Sequence, residues 1–154
     1  MTGWRRGGRE VESRVQQAVV DGASLLGGGT RTGSQIVPPA LDHVAATSEV
    51  REETFGPAIP IVRVSCLDET IAVANGTQYG LSAGVVSNDL DAITRCIREL
   101  RCGTVNVREV PGYRTELTPF GGIKSSGLGV KEGVIETMTA FTTLKVFTLP
   151  WPAG

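Results

Sequence analysis

The stretch L-S-A-G-V-V-S-N-D-L-D-A-I-T-R-C-I-R-E-L-R-C-G-T-V-N-V, Leu81 to Val107, decides the fold class. Leu81 to Ser87 is small and apolar, the composition of a buried strand. Asp89 supplies a carboxylate for a helix start, and Leu90, Ile93, Ile97 and Leu100 fall on one stripe of the helix that follows. Cys96 sits beside that stripe, while Arg95, Arg98 and Glu99 lie on the opposite face. After the Gly103 turn, Thr104 to Val107 forms a second strand. Strand, helix and strand within 27 residues read as one α/β unit.

Working outward, Val11, Val15, Ala18, Val19 and Gly22 follow a helical period from Arg9, and Leu25-Leu26 precede a glycine stop at Gly27 to Gly29. Short strands are expected at Gln35 to Val37, around Val44 to Val50 and at Ile59 to Cys66. A helix capped by Asp68 runs through Ala74 and stops at Asn75-Gly76. Lys131 to Phe141 reads as a helix and Leu144 to Leu149 as an alternating strand. Alternating helices and buried strands predict an α/β fold with a largely parallel sheet and flanking helices. The loop from Glu109 to Gly129 holds two prolines and five glycines and is too long for a plain connection, which marks it as functional.

Composition narrows the function classes. The 154 residues carry 15 Lys and Arg against 16 Asp and Glu, a net charge of −1, which gives no electrostatic reason to expect nucleic acid or an anionic membrane as partner. A chain of this length suits one ordinary domain. The 20 glycines, well above the average of about 7%, predict tight turns and close backbone contacts. No run of about 18 apolar residues is present, and the first 20 residues lack a signal-peptide core, so a cytoplasmic location is expected. Cys66, Cys96 and Cys102 form no C-x-x-C pair, and one histidine, His43, completes no metal set with them, so no metal is expected. Their places in strand end, helix interior and helix C-terminus read as packing positions rather than activated nucleophiles.

Two glycine-rich segments imitate phosphate loops. In Gly27-Gly28-Gly29-Thr30-Arg31-Thr32-Gly33 a helix precedes and a strand follows, the reverse of the order that aims N–H groups at an anion. Gly121-Gly122-Ile123-Lys124-Ser125 lacks both the Gly-Lys pair and the four-residue gap of a Walker loop. Arg51-Glu52-Glu53-Thr54-Phe55-Gly56-Pro57 differs from both. A carboxylate held beside an aromatic plane can take two ribose hydroxyls while the ring packs on a flat heterocycle. On spacing alone the segment reads equally well as a solvated loop.

Four ordered motifs carry a resemblance: E-E-T-F-G-P (Glu52 to Pro57), N-G-T-Q-Y-G-L-S-A-G-V-V-S (Asn75 to Ser87), C-G-T-V-N-V (Cys102 to Val107) and P-F-G-G-I-K-S-S-G (Pro119 to Gly127). Together they resemble the C-terminal part of the catalytic domain of the NAD(P)-dependent aldehyde dehydrogenase superfamily, from about Glu10 to Trp151. E-V-P-G-Y-R-T-E-L-T-P-F-G-G-I-K and the ending F-T-L-P-W further resemble phosphonoacetaldehyde dehydrogenases. The resemblance implies an unmatched leader over residues 1–9, a partial catalytic domain over 10–143, an oligomerisation-type strand over 144–151 and a tail over 152–154.

It also implies site roles. Glu53 matches the glutamate that binds the nicotinamide ribose, and Phe55 the aromatic packing near the nicotinamide. Phe120 matches a wall of the place where aldehyde and nicotinamide meet, with Gly121 and Gly122 allowing close backbone approach. Tyr113 and Arg114 lie just before this wall. Arg114 is the candidate anchor for a phosphonate, which its guanidinium fork suits; an ordinary loop arginine is the alternative. Arg108 stands where the family usually has Asn, placing a long charge near the substrate loop.

The family's nucleophilic cysteine, general-base glutamate and dinucleotide-binding half precede E-E-x-F-G-P by more residues than this sequence holds before Glu52. In the full enzyme a thiohemiacetal passes hydride to NAD(P)+ and the resulting thioester is hydrolysed. This chain is expected to supply walls and one ribose contact, to bind NAD or NADP weakly or not at all alone, and to be inactive by itself. The expected function is that of a fragment of an aldehyde dehydrogenase for phosphonoacetaldehyde or a related small anionic aldehyde. The alternative is a non-catalytic remnant that assembles with itself or with a full-length subunit through its last strand. Either way, apolar surface is expected to lie open.

Overall fold

The computed structural model describes residues 3–52 and 54–149. The chain divides into two compact units, Met1–Val73 and Ala74–Gly154.

The first unit opens with α1 (Gly3–Val20), followed by β1 (Ser24–Gly27), the hairpin strands β2 (Arg31–Thr32) and β3 (Gln35–Ile36), then β4 (Ala40–Asp42) and β5 (Ile59–Pro60). The helix period reads correctly through Val11, Val15 and Ala18, which are buried together with Ala23, Leu41 and Val44 in one core. The helix stops earlier than its apolar pattern suggests. Gly22 adopts φ +105°, and the N–H groups of Gly22 and Ala23 donate back to the Val19 and Ala18 carbonyls at 3.1 and 2.9 Å, a Schellman closure. Leu25-Leu26 therefore belongs to β1, not to the helix.

β1 pairs antiparallel with β4, and β4 pairs parallel with β5. The strand expected around Val44 to Val50 lies instead at Ala40–Asp42, and Glu49–Arg51 is a 3-10 turn. The β-branched run Ile59 to Cys66 yields only a two-residue strand, although the Ile61 N–H still reaches the Leu41 carbonyl at 2.8 Å. The first of the two phosphate-loop imitations thus follows a strand and leads into a hairpin.

The boundary between the units falls inside α2 (Leu67–Asn75). Asp68 lies in its first turn rather than at the cap, where Glu69 reaches back to the N–H and Oγ of Ser65 at 2.7 Å each. Those hydrogen bonds, the side-chain one foremost, hold the Glu69 carboxyl below its ordinary value.

The second unit contains β6 (Tyr79–Gly80), β7 (Ser82–Val85), α3 (Leu90–Glu99), β8 (Thr104–Val107), β9 (Ile123–Lys124) and α4 (Val134–Ala140). The opening α/β unit is present as read. Asp89 caps α3 by accepting from the Asp91 and Ala92 N–H groups, and β7 and β8 pair in parallel, Ser82 with Thr104 through Val85 with Val107. The apolar stripe of α3 differs. Cys96 is its buried member, whereas Leu90 is 73% and Ile97 51% exposed.

The α/β class holds, while the sheet does not form one largely parallel layer. Among the described residues there are four small sheets; only β4–β5 and β7–β8 are parallel. α4 is shorter than the expected Lys131 to Phe141, because Glu132 is held in a bridge with Phe120 and Gly133 turns the chain at φ +108°. Leu144 to Leu149 forms no strand.

Candidate functional site

In the second unit the loop after β8 is organised by backbone contacts that only glycine permits. A Cβ on Gly103 would run into the Gly121 carbonyl oxygen, and one on Gly121 into the Gly129 carbonyl. Packed this tightly, the P-F-G-G segment holds Phe120 in place. The Phe120 N–H donates to the Glu132 carbonyl at 3.0 Å, and the Glu132 N–H returns to the Phe120 carbonyl at 2.9 Å.

Three candidate residues meet around this bridge or lead into it. The Arg114 guanidinium carbon lies 5.0 Å from the centre of the Phe120 ring, within cation–π range. Its Nη1 contacts Glu132 Oε2 at 2.6 Å. The two are half exposed, so solvent screens the pair and its strength as a stabilising ion pair is small. Arg114, Glu132, Thr115, Thr118 and Thr137 line an open cavity of about 510 Å³. Tyr113 precedes Arg114 in a turn closed by its N–H to the Val110 carbonyl at 3.1 Å, and its side chain is half exposed.

Arg108 departs from expectation. With φ +58° it folds back on the turn after β7, donating from Nη2 to Asn88 Oδ1 at 2.5 Å and from Nε to the Ser87 carbonyl at 3.3 Å. Its charge is engaged there and not on the Tyr113–Phe120 segment.

Phe55 lies in the first unit. Its ring is 85% exposed beside a groove of about 470 Å³ lined by Gly7, Gly8, Val11 and Ile36. An open aromatic face on an apolar groove is a surface on which a flat ring can stack. Glu53 lies outside the described residues.

The three cysteines sit in three different surroundings. Cys96 is buried in α3. Cys102 donates to the Thr104 carbonyl at 3.2 Å, and burial pushes its thiol up. Cys66 is exposed, which corrects its reading as a packing residue. His43 is a surface residue beside Asp42. Among the described residues no group of three His, Cys, Asp or Glu is placed to hold a metal ion. No helix there is long and apolar enough to cross a membrane.

Sequence reasoning missed three groups that shape the units. Asp42, 6% exposed, receives Arg63 Nε at 2.9 Å and Nη2 at 2.6 Å. That guanidinium lowers the Asp42 carboxyl to about 2. Lys124 Nζ donates to the Asn75 and Thr77 carbonyls at the end of α2, 3.0 Å each. Asn106 Nδ2 reaches three carbonyls of the loop before Arg114. None of these pairings has a local sequence signal.

Comparison with known proteins identifies the family. The family model described as "Aldehyde dehydrogenase family" matches residues 5–147. The chain is 40% identical over 126 residues to the sulfoacetaldehyde dehydrogenase of Neptuniibacter caesariensis, covering 81% of this chain and 27% of that protein. Its fold matches an NAD-dependent aldehyde dehydrogenase from Sinorhizobium meliloti with a TM-score of 0.85 at 33% identity, over 97% of this chain and 30% of that one. It also matches the glyceraldehyde-3-phosphate dehydrogenase GapN of Methanocaldococcus jannaschii complexed with NADP, with a TM-score of 0.80 at 36% identity, over 86% of this chain and 29% of that one. The chain thus spans under a third of the length of each of these proteins. With the family match running over nearly its whole length, the chain belongs to the aldehyde dehydrogenase family, a family of oxidoreductases that use NAD or NADP.

Proposed function

We propose that this chain forms one wall of an aldehyde dehydrogenase site that takes a small anionic aldehyde, a sulfonated or phosphonated acetaldehyde, and yields the carboxylate. The observation that carries the reading is Arg114, a guanidinium over the Phe120 ring at the edge of an open cavity. A sulfonate or phosphonate presents two oxygens to such a fork, which a neutral aldehyde lacks. The similarity to a sulfoacetaldehyde dehydrogenase supports the same class. Glu53 and Phe55 are the residues that would hold the nicotinamide ribose end of NAD or NADP, and Tyr113 flanks the anion. Residues 10–143 make up the partial catalytic domain, and the site works in the cytoplasm.

The reacting thiol, the base and most of the dinucleotide site are not provided by these 154 residues. The thiols present are buried, exposed on a loop, or raised by burial. The isolated chain accordingly does not oxidise aldehydes.

Isethionate, whose alcohol stands in for the aldehyde, tests the anion subsite. The chain is expected to take it up saturably in a side-chain NMR titration, with ethylene glycol silent and Arg114→Ala lowering affinity at least tenfold. Equal affinity in wild type and Arg114→Ala would contradict the reading.

A second reading, assembly with another subunit, is favoured by one feature. Leu144, Val146, Phe147 and Leu149 are all largely exposed and form no strand pairing among the described residues, a segment suited to add to a foreign sheet edge. Light scattering should find self-association that Val146→Lys reduces. A clean monomer would count against it.

A further inference from the structure

The loop from Val110 to Tyr113 turns its carbonyls toward a single donor. Asn106, half-buried near the end of β8, places Nδ2 3.1 Å from the Val110 oxygen, 3.1 Å from that of Pro111 and 3.0 Å from that of Tyr113. An amide nitrogen has two hydrogens, so three acceptors share two donors, with at least one bond bifurcated. Three carbonyl dipoles aimed at one point repel one another unless a donor sits between them. Pro111 has no N–H to offer the loop, and the loop's own hydrogen bond, from the Tyr113 N–H at 3.1 Å, reaches the Val110 carbonyl. Arg114 follows Tyr113 directly.

The loop's other end is fixed as well. The Arg108 N–H donates to the Val85 carbonyl at 2.7 Å, which ties the loop's start to β7. Asn106 therefore braces the stretch from which Arg114 leaves the backbone, while Glu132 contacts the guanidinium itself.

We propose that Asn106 is the positioning residue of the anion subsite, holding the 110–113 loop so that the Arg114 guanidinium lies over Phe120. The substrate side of this inference rests on the Arg114 reading above; the loop side does not. Asn106 touches no substrate and acts only through the three carbonyls. A residue chosen merely to end β8 would not need its amide hydrogens, so the donor is the feature to remove.

Asn106→Asp keeps the shape of the side chain and removes the donor. In the full chain it is expected to abolish the ring-current shift that the Phe120 ring imposes on the Arg114 side-chain protons, to move the carbonyl carbon resonances of Val110, Pro111 and Tyr113, and to raise the isethionate Kd about tenfold, the scale of one lost hydrogen-bonding partner. Amide protection in β7 and β8 should stay at the wild-type level. If the new carboxylate unfolds the unit, Asn106→Ala, which removes the whole amide, donor included, without adding a charge, carries the same test. An Arg114 ring-current shift and loop carbonyl resonances unchanged in either folded variant would overturn the inference. Arg114→Ala separates the two readings: if it leaves isethionate affinity unchanged, the anion anchor falls, and the ring-current signal still judges Asn106 by itself.

Discussion

The two units are held together by different means. In Met1–Val73 the buried residues are mostly apolar side chains, Val11, Val15, Ala18, Ala23, Leu41 and Val44, joined by the Asp42–Arg63 pair. In Ala74–Gly154 the buried residues among those described are Cys96 and three glycines, Gly80, Gly121 and Gly122. Side-chain burial stabilises the first unit. Backbone-to-backbone contact, hydrogen bonds donated by Asn75, Asn106 and Lys124, and one that Ser126 Oγ accepts from the Gly80 N–H shape the second. The second unit consequently leaves Leu90, Leu128, Ile135, Met138 and Phe141 at its surface. Under the proposed reading, a wall around a substrate site needs fixed backbone more than a large core, and exposed apolar faces of this kind mark candidate contact surfaces.

This contrast can be broken at several points. The largest effect is expected from Leu41→Ala, since Leu41 is fully buried; the loss should be about 2–5 kcal/mol. Hydrogen exchange should report it in α1 and β4 while β7 and β8 keep their protection. A uniform loss of protection in both units would show that they are not independently held.

Gly103→Ala should cost the second unit roughly 1–3 kcal/mol, because the added methyl meets the Gly121 carbonyl, which cannot swing aside as a side chain would. Urea unfolding followed by β8 amides would measure it; a neutral result would remove the backbone-packing account. Asp89→Ala should cost about 1 kcal/mol and fray the first turn of α3, whose Asp91 and Ala92 N–H groups lose their acceptor.

Acid is the last lever and is silent at neutral pH. The Asp42 carboxyl lies at about 2 in the folded chain against 3.8 when free. The ionised form is therefore favoured by folding, and its contribution is full above 3.8 and lost as pH falls through about 2. The first unit should lose protection over that window, and Asp42→Asn should flatten the dependence. An unchanged acid profile in Asp42→Asn would show that the pair does not stabilise the unit.

The same contrast explains what the sequence disclosed. β7, α3 and β8 were legible because the Asp89 cap and the Gly103 turn are local signals. Leu25-Leu26 was not, since an apolar pair fits a helix end and a strand alike, and the positive φ of Gly22 decides between them. The Leu144 to Leu149 alternation was legible as a pattern, yet a strand exists only by pairing, and this segment pairs with no strand among the described residues. At the site, the P-F-G-G glycines were legible as points of close backbone approach, whereas the stacking of Arg114 on Phe120 had no signal in the spacing. Asp42–Arg63, 21 residues apart, and Lys124 on the end of α2 depend on long-range folding that no spacing announces.

The central claim is that the chain furnishes a wall for an anionic aldehyde while the reacting sulfur lies elsewhere. Purified chain incubated with NAD or NADP and sulfoacetaldehyde, then analysed by intact-mass and peptide mass spectrometry alongside NADH absorbance, tests it directly. The account predicts no absorbance change and no acyl adduct on Cys66, Cys96 or Cys102. Substrate-dependent turnover with an acyl thioester on any of the three would contradict it.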